Sequence, residues 1–215
     1  MDEKLLLLIN REWTSPALDK VMAAASCFEA WLPLIVVLVA AILIKGDFRA
    51  RAFVVTALLV VAVNDGVVSK TLKRIVDRPR PHQSHSDVRI VDLAKAPLRI
   101  TALLKPVKVR MSRPPPGDVE GRSFPSSHTI NMMSVALVAV AFFGARAAWG
   151  FALAALVAYS RLYTGSHWPS DVVTSVFLGL GSTLMLLALA EWLWRKRGGW
   201  LLPRLHAAHP VLIAT

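Results

Sequence analysis

Val172–Ala190 reads VVTSVFLGLGSTLMLLALA, an unbroken uncharged run bounded by Asp171 and Glu191. A helix perpendicular to the bilayer needs about 20 residues to cross the hydrocarbon at about 1.5 Å per residue. This run comes close unaided, and it sets the reading of the rest. Four shorter uncharged runs precede it: Ala30–Ile44, Ala52–Asn64, Thr129–Ala145 and Ala147–Ser160. Each becomes long enough if the polar residues beside it sit near a helix end. These are Asp65 and Lys70 after the second run, Ser126 and His128 before the third, and Arg161 after the fourth. Ionisable groups at membrane depth are expensive and are usually functional. The sequence therefore predicts an all-α fold, a polytopic membrane bundle of about five transmembrane helices whose ends share a polar site. Residues 1–215 read as a single integral membrane domain.

Composition supports this. Of 215 residues, 55% are hydrophobic and only 18% charged, with a mean hydropathy of +0.51. A soluble domain would carry nearer a quarter charged residues. Cys27 is the single cysteine, which excludes a disulfide scaffold. The formal net charge of +11 would suggest nucleic acid in a soluble chain. Here the basic residues fall between apolar runs and form no nucleic-acid motif, so cytoplasmic loops and lipid headgroups account for them, not nucleic acid.

No signal peptide is expected at the start, where Met1-Asp2-Glu3-Lys4 is followed by only Leu5–Ile9. Ser15 followed by Pro16 predicts a helix start, and residues 1–27 read as short helices lying on the membrane interface. Trp31, Trp149, Trp168, Trp192 and Trp194 lie near run ends, as an aromatic belt requires. Lys45, Arg49 and Arg51, then Arg146, then Arg195-Lys196-Arg197 occupy alternate ends of the spans, and the positive-inside rule makes that side cytoplasmic, with 195–215 a cytoplasmic tail. The other side holds the N-terminus, the extramembrane segment 78–125 and the turn at 161–171. Segment 82–122 cuts against this, with eight Lys/Arg against four Asp/Glu. A loop serving an anionic substrate would be basic on either side, so the short loops weigh more.

Three stretches on the proposed outer side carry candidate chemistry. Lys73-Arg74-Ile75-Val76-Asp77-Arg78-Pro79-Arg80-Pro81 packs cations just beyond the second span, with two prolines to stop the helix. Taken alone, it reads as a basic cluster on lipid headgroups. Ser123-Phe124-Pro125-Ser126-Ser127-His128 opens the third span. Ser126 or Ser127 can cap that helix, whose first free N–H groups form an anion site. In Ser160-Arg161-Leu162-Tyr163-Thr164-Gly165-Ser166-His167-Trp168-Pro169-Ser170-Asp171, the four-residue spacing lets the Asp171 carboxylate approach His167. That pairing could fix the tautomer of a nucleophile or simply stabilise a helix start. Jointly the stretches supply Lys73, Arg80, Arg161 and His128 as cations, a helix N-terminus and a carboxylate-backed histidine. Phosphoryl transfer needs fixed positive charge around the equatorial oxygens, a nucleophile in line and an acid for the leaving oxygen.

Lys73-x6-Arg80-Pro81, Pro125-Ser126-Ser127-His128 and Ser160-Arg161-x5-His167-x3-Asp171 resemble the three-part motif of the type-2 phosphatidic acid phosphatase superfamily. That superfamily includes undecaprenyl-diphosphate, phosphatidylglycerophosphate and lipid A phosphatases, glucose-6-phosphatase and soluble vanadium haloperoxidases. The match runs from Lys73 to Asp171, in the expected order and with the expected internal spacings. One position departs: the family commonly has glycine where Ser127 stands, which bears on local backbone geometry more than on chemistry.

The resemblance implies roles. His167 would attack phosphorus, Asp171 would orient it, and His128 would protonate the leaving lipid oxygen. Lys73, Arg80, Ser126, the Ser127 amide and Arg161 would hold the phosphate oxygens. No metal or other cofactor is implied, and His82 with His85 lacks a third ligand for zinc. The expected substrate is a phospholipid or polyprenyl phosphate or diphosphate in the bilayer, handled on the periplasmic side of a bacterial inner membrane. A larger headgroup such as lipid A is the alternative, because the insertion at Arg113-Pro114-Pro115-Pro116-Gly117 is long enough to be a lid or a headgroup-reading loop. A non-catalytic lipid-binding or transport protein would need a catalytic residue lost, yet all are present. Oligomeric state is not indicated. Asn64 and Asp65 read as a buried hydrogen-bonded pair or a support to the site, and Asp77 as a partner of Arg78 or Lys73.

Overall fold

The computed structural model describes residues 1–114, 117 and 121–213. Two short elements open the chain, α1 (Asp2–Leu7) and α2 (Pro16–Ser26). The Ser15 hydroxyl caps α2 by accepting from the Leu18 amide at 3.2 Å, with Pro16 at the first helical position. Next come α3 (Phe28–Lys45) and α4 (Phe48–Val63), then a π-helical segment (Asn64–Ser69) that runs into α5 (Lys70–Val76). The chain turns at Asp77, whose φ of 43° is left-handed. It then forms the single-turn α6 (Pro81–Ser84), and β1 (Arg89–Leu93) pairs antiparallel with β2 (Val107–Met111) around a 3₁₀ turn at Arg99–Leu104. The bundle is completed by α7 (Ser127–Phe143), α8 (Gly150–Tyr163) and α9 (Pro169–Leu201), and α10 (Pro203–Ala208) folds back at the end.

Among the described residues four stretches are long and apolar enough to cross a bilayer: Phe28–Lys45, Phe48–Ser84, Ser127–Ala147 and Pro169–Leu201. The fifth expected span differs. α8 has 14 residues, about 21 Å of helix against a hydrocarbon core of about 30 Å. The 3₁₀ turn at Gly144–Ala147 consumes the start of its apolar run. Its far end closes at Gly165, whose φ is +69° and where a Cβ would stand 2.4 Å from Val88 Cγ1. α9 is longer than its uncharged run, so Arg195-Lys196-Arg197 are helical rather than part of a tail. The tail itself is tied down. Glu191 Oε2 accepts from the Leu212 and Ile213 amides at 3.0 and 2.9 Å, Trp194 Nε1 donates to His209 O at 2.8 Å, and His209 stacks on Phe48 at 4.0 Å.

α3 shows what faces lipid. Leu32, Leu34, Ile35, Val36, Val37 and Leu38 are all exposed, and a helix apolar on every side belongs in a membrane. α7 is central, packing on α4, α8 and α9. Val60, Val138, Phe142 and Leu187 form one buried cluster. Gly179 of α9 meets α7 so closely that a Cβ would lie 3.0 Å from Ile130 O, the small-residue contact typical of membrane helices. Deep between these helices, Asn64 donates to Ser134 Oγ at 2.8 Å and Thr183 donates to the same oxygen at 2.8 Å. Asn64 thus bonds across helices rather than to Asp65.

The N-terminal helices pack onto the bundle. Met22 and Ala23 of α2 are buried with Val91, Leu162 and Tyr163. Buried Asp19 accepts two bonds from Arg89, both 2.9 Å, and one from Tyr163 Oη at 2.7 Å. Breaking a pair of this kind by removing one partner costs about 3–5 kcal/mol, so α2, β1 and α8 hold together as one unit. The two strands were not expected in the loop. The proline-rich stretch at 113–117, expected to form a lid or headgroup-reading loop, falls partly outside the described residues.

The ends of the bundle divide by chemistry. Arg49 lies over Phe143 at 6.0 Å and Phe48 stacks on His209, so the short basic connections and the C-terminal segment gather at one end. The three motif stretches meet at the other.

Candidate active site

Each motif side chain is placed by a helix end. Lys73 stands in the last turn of α5 and donates through Nζ to Ser127 Oγ at 2.7 Å. Ser127 lies in the first turn of α7 in helical geometry, so a side chain fits where the family commonly has glycine, and its hydroxyl receives the lysine. Ser126 caps α7 and is fully buried. Its Oγ accepts from Thr129 Oγ1 at 3.0 Å, and its amide donates to Ser175 Oγ at 2.8 Å. His128 follows one residue into the helix.

Arg80 is the N-cap of α6, its backbone amide bonded to Gln83 Oε1 at 3.0 Å. It is the common neighbour of the cluster: Lys73, His128, Arg161 and His167 each feel its charge. His128 in turn feels Arg161, His167 and Lys73. Arg161, 8% exposed, donates through one terminal nitrogen to the Ser26 carbonyl at 3.1 Å and to the Ser26 hydroxyl, while its Nε is buried with no partner. The end of α2 thus anchors a cation of the third motif.

His167 is 2% exposed and sits on the turn between α8 and α9, its amide bonded to Arg161 O at 3.2 Å. Its Nδ1 lies 3.8 Å from Asp171 Oδ2. That is ion-pair distance and too long for a hydrogen bond, which leaves Nδ1 buried without a bonded partner. Burial pushes the His167 ring down to about 4, helped by the Arg161 and Arg80 charges and opposed by Asp171. The imidazole is therefore neutral at pH 7.

The Asp171 carboxylate, fully buried, is occupied on both oxygens. Oδ2 accepts from the Ser123 hydroxyl and from the Trp168 amide at 3.0 Å, the latter closing the N-terminal turn of α9. Oδ1 accepts from Arg78 at 2.7 Å. Arg78 reaches on to Asp2 at 2.8 Å, and Asp2 in turn accepts from the Ser170 amide at 2.8 Å. Trp168 is buried with Nε1 donating to Pro79 O at 3.0 Å, so it braces the site and is not a lipid anchor. Sequence reasoning missed Asp2, Ser26, Arg78, Ser123 and Ser175 as parts of this scaffold. Asp77, expected to pair with Arg78 or Lys73, instead accepts from the Gly121 amide at 2.8 Å. His82 and His85 go separate ways, His82 Nδ1 to Gly165 O at 2.9 Å and His85 Nε2 toward Glu3 at 3.5 Å. Among the described residues no three His, Cys, Asp or Glu side chains are gathered as a metal ion would require.

The arrangement offers one neutral buried imidazole, a second histidine at a helix start, and three cations, Lys73, Arg80 and Arg161, that act on these groups: a set that can take up a compact dianion.

Comparison with known proteins agrees with the sequence motif. The profile of the PAP2 superfamily matches residues 53–195. A lipid A 4'-phosphatase of Bacteroides thetaiotaomicron is 27% identical over 186 residues, covering 83% of this chain and 72% of that protein. The crystal structure of Aquifex aeolicus LpxE superposes with a TM-score of 0.59 at 22% identity, covering 87% of this chain and 94% of that one, a likeness of fold. The chain belongs to the PAP2 superfamily.

Proposed function

We propose that this PAP2-superfamily chain is a membrane lipid phosphatase that removes phosphate without a metal, through a phosphohistidine on His167. The observation that carries the reading is the gathering of Lys73, docked on Ser127 Oγ at the start of α7 at 2.7 Å, and buried Arg161 and His167 at one end of the bundle, with Arg80 acting on all three. One phosphate placed against Arg80 lies within the field of all of them.

The geometry supports the following reaction. With its proton on Nδ1, facing Asp171 at 3.8 Å, His167 presents the Nε2 lone pair to phosphorus. A P–N bond forms as the bond to the lipid oxygen breaks, and His128 gives its proton to that oxygen. Lys73, Arg80, Arg161, the Ser126 hydroxyl and the Ser127 amide take the charge on the equatorial oxygens. Water then attacks the phosphohistidine, leaving its proton on His128; the P–N bond breaks and inorganic phosphate departs. Asp171, fixed by Ser123, Trp168 and Arg78, holds the ring tautomer and offsets the charge it gains.

The substrate is a lipid phosphate or diphosphate with its tails in the bilayer, of the polyprenyl diphosphate, phosphatidylglycerophosphate or phosphatidic acid type. The named Bacteroides relative favours a second reading, a phosphorylated glycolipid. The basic end of the bundle is cytoplasmic on this account, and the site opens on the periplasmic side of the inner membrane.

Purified protein in neutral detergent is expected to release inorganic phosphate from lipid phosphates at the same rate with and without EDTA; a rate abolished by EDTA and restored by a divalent cation would contradict the metal-free mechanism. The pH profile makes a second prediction. A His167 that protonates only near 4 stays nucleophilic across the physiological range, so the acid limb of kcat is expected near pH 4. A limb near the ordinary histidine value of about 6.5 would mean that the ring is solvated and not buried.

A further inference from the structure

Beside Lys73, α5 carries charge that the reaction above does not use. Lys70, Lys73, Arg74 and Asp77 recur at positions i, i+3, i+4 and i+7, so they share one helix face. With Gly121 and Arg122 they line a cleft of about 420 Å³. The long loop is stapled to this face as it returns. The Gly121 amide donates to Asp77 Oδ1 at 2.8 Å, and the Ser123 amide to Arg78 O at 2.9 Å. The approach is so close that a Cβ at Gly121 would stand 2.0 Å from the Arg78 carbonyl carbon, so only glycine is tolerated there. This staple brings Arg122 to the rim. Among the described residues the cleft thus has four cations and a single carboxylate, which already accepts from the loop. Lys73 belongs to both places: it lines the cleft, and its ammonium reaches Ser127 at the start of α7. Arg80 and Arg122 both act on it electrostatically.

We infer that this cleft binds a second phosphate-type anion carried by the same lipid whose first phosphate occupies the catalytic cluster, with Lys73 between the two. The inference rests on the phosphatase reading and adds a substrate class to it: headgroups bearing two separated anionic groups. Continuity through Lys73 favours the substrate's own second group over the headgroup of a neighbouring lipid.

The test compares a glycolipid carrying two phosphates with the same glycolipid carrying one, both in neutral detergent. For the wild-type protein, KM is expected to be about tenfold lower for the bisphosphate, the scale of a charge-assisted contact. In the Lys70→Gln/Arg74→Gln double variant KM for the bisphosphate rises about tenfold, while kcat for both lipids and KM for the monophosphate stay at wild-type values, which also shows that the variant folds. Equal KM for both lipids in the wild type, or equal changes for both in the variant, would overturn the inference. So would a wild-type rate on the monophosphate that climbs as phosphatidylglycerol is added to the micelles while the variant's does not, since the cleft would then hold bulk lipid. Failure of the wild type to release phosphate from either lipid would instead refute the phosphatase reading itself.

Discussion

Replacing His167 with alanine is expected to lower phosphate release by roughly 10⁴-fold or more, the scale seen when a covalent nucleophile is removed from a unit that acts together. The loss should appear in kcat with little change in KM. Lys73, Arg80 and Arg161 still hold the phosphate, and they are anchored elsewhere, Lys73 on Ser127 and Arg161 on Ser26. The fold should survive, because the start of α9 is secured by Asp171 on the Trp168 amide and by Trp168 on Pro79, not by the imidazole. The checks are phosphate release from a lipid phosphate and a thermal unfolding curve on the same preparation. A variant that folds normally and keeps even a tenth of the wild-type kcat would remove His167 from the nucleophile's role.

The second large effect concerns His128. General acid catalysis contributes about 10²–10⁴-fold, and the share depends on how badly the leaving group needs a proton. A lipid alkoxide needs it; an activated aryl oxide does not. His128→Ala is therefore expected to lose about 10³-fold on a lipid phosphate and less than about tenfold on an activated aryl phosphate. Equal losses on both substrates would mean that His128 serves only to bind. Because His128 stands in the first turn of α7 while Ser126 supplies the cap, the substitution leaves the helix start intact. Loss of activity through unfolding would also affect both substrates equally and is distinguished by a thermal unfolding curve on the same preparation.

The motif residues were legible because polar side chains stand out in an apolar chain. The four-residue spacing of His167 and Asp171 predicted their approach, and a helix start at Ser126 or Ser127 was written in their residue type. The extra partners of Asp171 were not legible. Asp2 and Arg78 meet at the start of α9 from positions far apart in the chain, and no local periodicity signals such a contact. Arg161 finds Ser26 in the same way. The length of α8 was misjudged because counting apolar residues ignores the 3₁₀ turn before it and the left-handed Gly165 after it. The strands carried a faint signal, the alternation of Val107, Val109 and Met111 with Lys108 and Arg110, which a loop dominated by charge obscured. Ser127 was read as a mild departure from glycine, whereas its hydroxyl is where Lys73 docks.

All of these expectations depend on a covalent P–N bond at one buried ring. Rapid acid-free quenching after mixing the protein with ³²P-labelled lipid phosphate, followed by peptide mapping, reads that bond directly. The account predicts base-stable, acid-labile label on the peptide containing His167, formed faster than phosphate is released and absent from His167→Ala. Label on the peptide containing His128, or phosphate release with no protein-bound label at any time, would contradict it.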